Sequence, residues 1–293
     1  MPARSAPLVT AITIFLDEEW FLADAIESVL AQSFTDWELI LVDDGSSDRS
    51  PDIARAYAER HPGRMRYLAH AGRANLGMSA SRNLGLGAAR GDHVGFLDGD
   101  DVWLPEKLAD QCAVLQAHPK CGLVYGRTLI WRSWDGGGTD FLYPLGVPAD
   151  AVHAPPTLFE LLLENKAQSP TTCNALMRRS LLESVGGFED GFRGMFEDQA
   201  FFAKVLLRAR VHVSDQCWAK YRQHAASHSA LSARQGEDLA PQVAYLSWFL
   251  FYLIRHDPKP RAVAMVARKL AGQSRWLLRR RLRRGVKRVL GRA

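Results

Sequence analysis

The chain has 293 residues, of which 47% are hydrophobic and 24% charged, with a net charge of +5. That apolar content suffices for one large α/β domain, or one domain with a small appendage, and excludes a disordered or fibrous chain. Cys112, Cys121, Cys173 and Cys217 are scattered with no C-x-x-C pair, which excludes zinc-finger spacing and a disulfide framework and fits reduced cytosolic thiols.

At the N-terminus, MPARSAPLVTAITIFL lacks the long apolar region and small-residue cleavage site of a signal peptide. LVTAITIF (8–15) is β-branched and apolar and predicts a strand. In DEEWFLADAIESVLAQ, residues Phe21, Leu22, Ala25, Ile26, Val29 and Leu30 recur at helical spacing. WELILVDD (37–44) is a near-continuous apolar run, as a strand covered on both faces requires. Ser50-Pro51 reads as an N-cap followed by an N1 proline, opening a helix that runs to His61-Pro62-Gly63. MRYLAH (65–70), MSASRNLGLGAAR (78–90) and DHVGFLD (92–98) give strand, helix and strand. This alternation predicts a doubly wound, mostly parallel sheet flanked by helices, with ligands at the carboxyl ends of the strands.

Beyond residue 104 the rhythm changes. A helix over 105–118, a strand over 122–131, a loop over 132–146, a short helix in PTLFELLLEN and a strand over 171–179 are expected. A helix from about Glu197 and two short strands over 211–224 follow. YLSWFLFYLI (245–254) is the most apolar stretch, but ten residues fall short of the roughly 20 that span a bilayer. It predicts a core or interfacial helix. The pattern divides the chain into residues 1–230, with halves 1–104 and 105–230, and a helical segment 231–293. No internal repeat is present.

Several residue groups carry candidate chemistry. Asp98, Asp100 and Asp101 sit as D-x-D-D at a strand end, suited to a hard divalent cation or to an Asp-rich turn with Asp101 capping the next helix. Asp43-Asp44-Gly45-Ser46 is either a turn or a carboxylate for a nucleobase or ribose. Arg82 lies one turn into a helix with small residues at its start, either clamping phosphate or on the surface. Asp198, among aromatics in MFEDQAFF, is a general-base candidate or a first-turn acid favoured by the helix dipole. His224 and His228, in YRQHAASHS, are potential metal ligands or solvated side chains.

In their order, FLADAIESVLAQSFTDWELILVDDGSSDRS, NLGMSASRNLGLGAARGDHVGFLDGDDVWLPEKL, GLVYG, GGFEDGF…FEDQAF and YRQH resemble family 2 glycosyltransferases of the GT-A fold, across roughly residues 8–228. The resemblance implies a metal-dependent, inverting transfer of sugar from a nucleoside diphosphate, most often UDP, to an acceptor hydroxyl, using Mn2+ or Mg2+. It implies Asp44 at the nucleobase and Arg82 near the diphosphate. Asp98 would serve ribose or a metal water, and Asp100, with His224, the metal. It implies Asp198 as catalytic base. Asp17 belongs to the donor-binding set, although Ile14-Phe15-Leu16-Asp17 replaces the family's P-x-Y-N. No Q-x-x-R-W segment follows the E-D pair, which argues against a processive synthase.

Trp131, Trp134, Phe192 and Phe196 suit an acceptor side, or an ordinary core. The expected acceptor is a glycan or a lipid-linked glycan of cell-surface polysaccharide or glycolipid synthesis. Between Arg275 and Arg292 stand nine Lys or Arg and no acid, so the rest of the chain is net acidic. Leu278, Leu282, Val286 and Val289 fall near one helical face, which predicts a basic amphipathic helix on an anionic membrane surface. The expected location is cytoplasmic, peripheral on the inner face of the plasma membrane, with nucleic acid not a partner. Two rival readings are a non-catalytic nucleotide-sugar-binding scaffold and an Asp-dependent phosphotransferase using Asp17.

Overall fold

A computed structural model describes residues 6–225, 227, 230 and 239–290, with side chains through Arg279. His228 therefore lies outside the described residues, as do the side chains of Leu282, Val286 and Val289. The chain divides into two compact units, Met1–Ser227 and His228–Ala293.

The first unit is built on a ten-stranded sheet whose main path runs β3-β2-β1-β4-β9-β6-β10-β5. β1 (Val9–Phe15), β2 (Trp37–Asp43), β3 (Met65–Ala69) and β4 (His93–Asp98) pair in parallel. β9 (Leu176–Arg178) runs antiparallel to both β4 and β6 (Cys121–Trp131), so β6 points the same way as β4. β10 (Arg210–Arg222) is parallel to β6. All the long strands therefore end at one rim, where an open α/β sheet binds its ligands. β1 and β2 are buried at every position, which is why their sequences read as unbroken apolar runs. α1 (Leu22–Leu30), α2 (Ser50–Arg60), α3 (Met78–Ala88) and α4 (Lys107–Ala117) cover the sheet. The core joins Ala11 and Leu39 of the strands to Ile26, Val29, Trp103 and Leu108.

Several expected elements differ in the structure. The two short strands expected over 211–224 are one strand, β10. Register shifts between Val213 and Cys217 and between Cys217 and Ala219 let Asp215 and Gln216 stand exposed without ending the pairing. The strand expected over 171–179 is a 3-10 turn, Thr172–Asn174, followed by the three residues of β9, because Asn174 accepts from Gly126 N–H and donates to the Arg127 carbonyl. Short strands β5 (Val102–Trp103), β7 (Phe141–Leu142) and β8 (Ala151–His153) occupy stretches with no strand pattern. α5 (Thr157–Leu163), α6 (Arg179–Val185) and α7 (Glu197–Leu206) complete this unit, α6 being unforeseen.

The second unit contains α8 (Ala240–His256) and α9 (Pro260–Leu290), which pack on each other. Tyr245, Leu246, Phe249 and Leu253 of α8 and Ala262 and Val266 of α9 are buried, while Phe251, Ile254, Trp276 and Leu278 are exposed. No helix among the described residues is long and apolar enough to cross a membrane.

Candidate functional site

The rim is assembled from the residues that immediately follow the long strands. After β4 comes Asp98-Gly99-Asp100-Asp101. Gly99 lies so close to the end of β1 that a Cβ there would stand 2.8 Å from the Phe15 Cβ, so only glycine fits between the two acids. After β2, Gly45 takes φ +90°, and a Cβ would meet the Arg73 carbonyl at 2.7 Å.

The four acidic positions at strand ends have different partners. Asp43 is buried and accepts from the Gly45 and Ser46 amides and the Tyr67 hydroxyl. Asp44, expected at a nucleobase, accepts from Leu76 N–H at 2.9 Å and Gly77 N–H at 3.0 Å. It thus ties the rim to the segment that opens α3. Asp17, at φ +55°, accepts from the Ser47 amide and hydroxyl and the Asp48 amide, joining the loops after β1 and β2. Asp98 is held at both oxygens: Arg82 donates to Oδ1 at 2.8 Å and Thr172 to Oδ2 at 3.2 Å.

Arg82, expected near a diphosphate, is 2% exposed and turned inward. Besides Asp98 it faces Glu197, with Nη1 3.8 Å from Oε1, and its Nε and Nη1 have no hydrogen-bond partner among the described residues. One buried guanidinium thus links the acids after β4 to those opening α7. There, burial first and then Asp198 push Glu197 up to about 7. Burial also raises Asp198 above its usual range, with Asp98 adding to it, against the Gln199 amide and Arg82. Asp198 is half-buried and accepts from Gln199 N–H at 2.7 Å. A carboxylate of raised basicity at an open rim can take a proton.

On the other side, Asp100, His224 and Glu18 converge. His224 Nε2 stands 3.0 Å from Asp100 Oδ2, and the Phe21 ring packs 4.7 Å from the imidazole. One ligand atom from each of Glu18, Asp100 and His224 lies within 4.8 Å of the other two. Burial, with Asp100 and then Asp98, pushes Glu18 up to about 8, the behaviour of an acid crowded by like charges. Two carboxylates and an imidazole are a donor set for a small divalent cation, so the residues present fit a bound Mn2+ or Mg2+.

Arg222 supports this cluster from below. Its backbone N–H donates to Asp101 Oδ1 at 2.9 Å, its Nε to the Asp100 carbonyl at 2.8 Å and its Nη2 to Asp24 at 2.9 Å. The guanidinium lies against the rings of Trp131 at 4.4 Å, Phe21 at 4.7 Å and Trp134 at 5.3 Å. Trp131 and Trp134 thus pack on the arginine that holds the acidic turn. Asp101 is fully buried, its carboxyl raised by burial and then by Asp100 and Asp98. It closes the turn rather than capping α4, whose first residue follows Glu106 without a side-chain cap. Sequence reasoning did not single out Glu18, Thr172 or Arg222. The only signal for Glu18 was the run Asp17-Glu18-Glu19, which does not say which acid points inward.

Residues 10–186 match the family model described as Glycosyl transferase family 2. TuaG of Bacillus subtilis strain 168, whose name assigns it to teichuronic acid biosynthesis as a glycosyltransferase, is 34% identical over 220 residues, covering 74% of this chain and 79% of TuaG. The crystal structure of S. aureus TarS 1–349 with UDP-GlcNAc matches with a TM-score of 0.66 at 20% identity, over 90% of this chain and 70% of that one. The chain spans 42% of the longer TarS structure. The mannosyltransferase PcManGT of Pyrobaculum calidifontis, solved with GDP-Man and Mn2+, matches with a TM-score of 0.60 at 20% identity, over 92% of this chain and 75% of that one. The two solved structures share the fold of this chain.

Proposed function

From the premise that the chain belongs to glycosyl transferase family 2 and is a glycosyltransferase of GT-A fold, we propose that it transfers a sugar from a nucleoside diphosphate to an acceptor hydroxyl with inversion, assisted by a divalent cation. The observation that carries this reading is the meeting, at one rim, of a carboxylate–imidazole cluster (Glu18, Asp100, His224) and a separate acidic pair (Glu197, Asp198) bridged toward Asp98 by the buried Arg82.

Asp198 is the base. The acceptor oxygen forms a bond to the anomeric carbon, its proton passes to the Asp198 carboxylate, and the bond to the diphosphate breaks with its electron pair leaving on the diphosphate oxygen. One displacement from the opposite face inverts the centre. A cation held by Asp100 and His224 would, when bound, neutralise the charge that develops on that leaving group. Arg82 holds Asp98 at the donor side. Asp17 and Asp44, by fixing the loops after β1 and β2, shape the nucleoside end.

The UDP-GlcNAc in the TarS structure and the GDP-Man and Mn2+ in PcManGT support a nucleotide-sugar donor and a metal. UDP is the donor base we favour, and TuaG's name supports a cell-surface polysaccharide as the acceptor class. The basic stretch 275–292 and the exposed Trp276 and Leu278 support peripheral attachment to the inner face of the membrane. A thermal-shift series of nucleotide sugars, each with and without Mn2+, tests the core of the proposal. One donor should raise the melting temperature only when Mn2+ is present; a chain unmoved by any donor would sink it.

A further inference from the structure

The metal-binding part of that function can be taken one residue further. We propose that Glu18, in the loop after β1, is the third protein ligand of the cation beside Asp100 and His224, and that Arg82 and Thr172 hold Asp98 out of the ion's coordination. The assignment rests on the glycosyltransferase reading above.

Three observations support it. First, His224 Nε2 and Asp100 Oδ2 are 3.0 Å apart. Neighbouring corners of an octahedron with bonds near 2.1 Å stand ~3.0 Å apart. The ligand atom of Glu18 lies within 4.8 Å of both. Opposite corners of that octahedron are ~4.2 Å apart, so a small side-chain adjustment brings the three onto one ion. Second, the two acids compete unequally. Both oxygens of Asp98 already accept, from Arg82 and Thr172. The Glu18 carboxylate, by contrast, has no hydrogen bond or ion pair with any described residue. Third, the backbone of Glu18 is fixed: its N–H donates to Ser50 Oγ at 2.8 Å and its neighbours Asp17 and Glu19 are tied to the 46–49 loop. The carboxylate is therefore presented from an anchored loop, so little ordering accompanies binding.

Arg82 has a definite part in this arrangement. A buried guanidinium 2.8 Å from Asp98 Oδ1 competes with a cation for that oxygen. It leaves Asp98 to orient the donor rather than to ligate.

The test is a Mn2+ titration of the full chain followed by electron paramagnetic resonance of the free ion, alone and with UDP, with melting curves to confirm folding. Glu18→Gln and Asp100→Asn should each weaken Mn2+ binding by about tenfold or more, and Asp98→Asn by less than about threefold. Glu18→Gln that binds Mn2+ as wild type does, while Asp100→Asn loses it, would overturn the assignment and leave the glycosyltransferase reading standing. Asp98→Asn as damaging as Glu18→Gln would also overturn it. Should Asp98→Asn fail to fold with Arg82 left unpaired, the comparison of Glu18→Gln and Glu18→Ala with Asp100→Asn decides alone. Wild-type protein that takes up no Mn2+ with or without UDP would sink the metal-dependent mechanism together with this assignment.

Discussion

Asp198 and Arg222 show how differently two residues of one rim can act. Asp198 is half-buried, its carboxyl raised by burial, and it is the base of the proposed mechanism. Asp198→Asn should lower the rate of sugar transfer by about 10²–10⁴-fold and leave donor affinity, read by calorimetry with UDP, close to wild type. Arg222 touches no reacting atom in this scheme. Its guanidinium holds the Asp100 carbonyl and its backbone N–H holds the Asp101 carboxylate, while three aromatic rings pack against it. A lysine in its place cannot donate from a planar fork to both Asp24 and the Asp100 carbonyl. Arg222→Lys should therefore cost about 2–3 kcal/mol of stability in urea unfolding and weaken Mn2+ binding through a displaced Asp100. Much of this site was legible residue by residue, since Asp100, His224, Asp98 and Asp198 all lie at the rim. What the sequence could not show is the pairing between them. Arg82 meets Asp98 across 16 positions, and Glu18, after β1, meets His224, after β10, and neither meeting has a local pattern.

At the level of elements, strands β1, β2 and β4 were readable because each is covered on both faces and has an apolar run to match, whereas β3, half-buried at the sheet edge, was readable from its place between two helices. β7 and β8 were not, since two or three residues pairing at the edge of β6 and β10 carry no periodicity. β10 read as two pieces because Ser214, Asp215 and Gln216 interrupt its apolar alternation at the bulge. α4 holds a further surprise. Its first residue, Lys107, is fully buried, donates to Gln111 Oε1 at 2.6 Å and the Ala175 carbonyl at 3.3 Å, and lies over the Trp103 ring. Burial pushes its ammonium down to about 7 from 10.5. Above 10.5 the side chain is neutral in both folded and unfolded chains. Between 7 and 10.5 the unfolded chain binds the extra proton, so stability rises with pH across that window and is lowest below 7. Melting temperatures measured from pH 7 to 10 should climb in the wild type. In Lys107→Met this part of the slope should vanish, although Gln111 Oε1 loses its donor.

The molecule as a whole places one compact sheet unit and one helical unit on a single chain. Nine basic residues fall in 275–292, so an anionic surface should attract that segment by roughly 1 kcal/mol per residue near the lipid. Replacing Arg279, Arg280, Arg281, Arg283 and Arg284 with glutamine should abolish co-sedimentation with vesicles rich in phosphatidylserine, and high salt should do the same to the wild type. Binding that survives both would point away from lipid headgroups. The rim has a temporal consequence as well. Glu18 follows the first strand of the sheet and His224 the last, and they come within ligand distance of each other. During synthesis the two ends of this pocket are therefore made far apart in time, and the proposed three-ligand set is incomplete until the final strand leaves the ribosome and docks. On the proposed metal assignment, loading with a divalent cation certifies completed folding, and a chain truncated before β10 is expected to stay empty however well its first half is made.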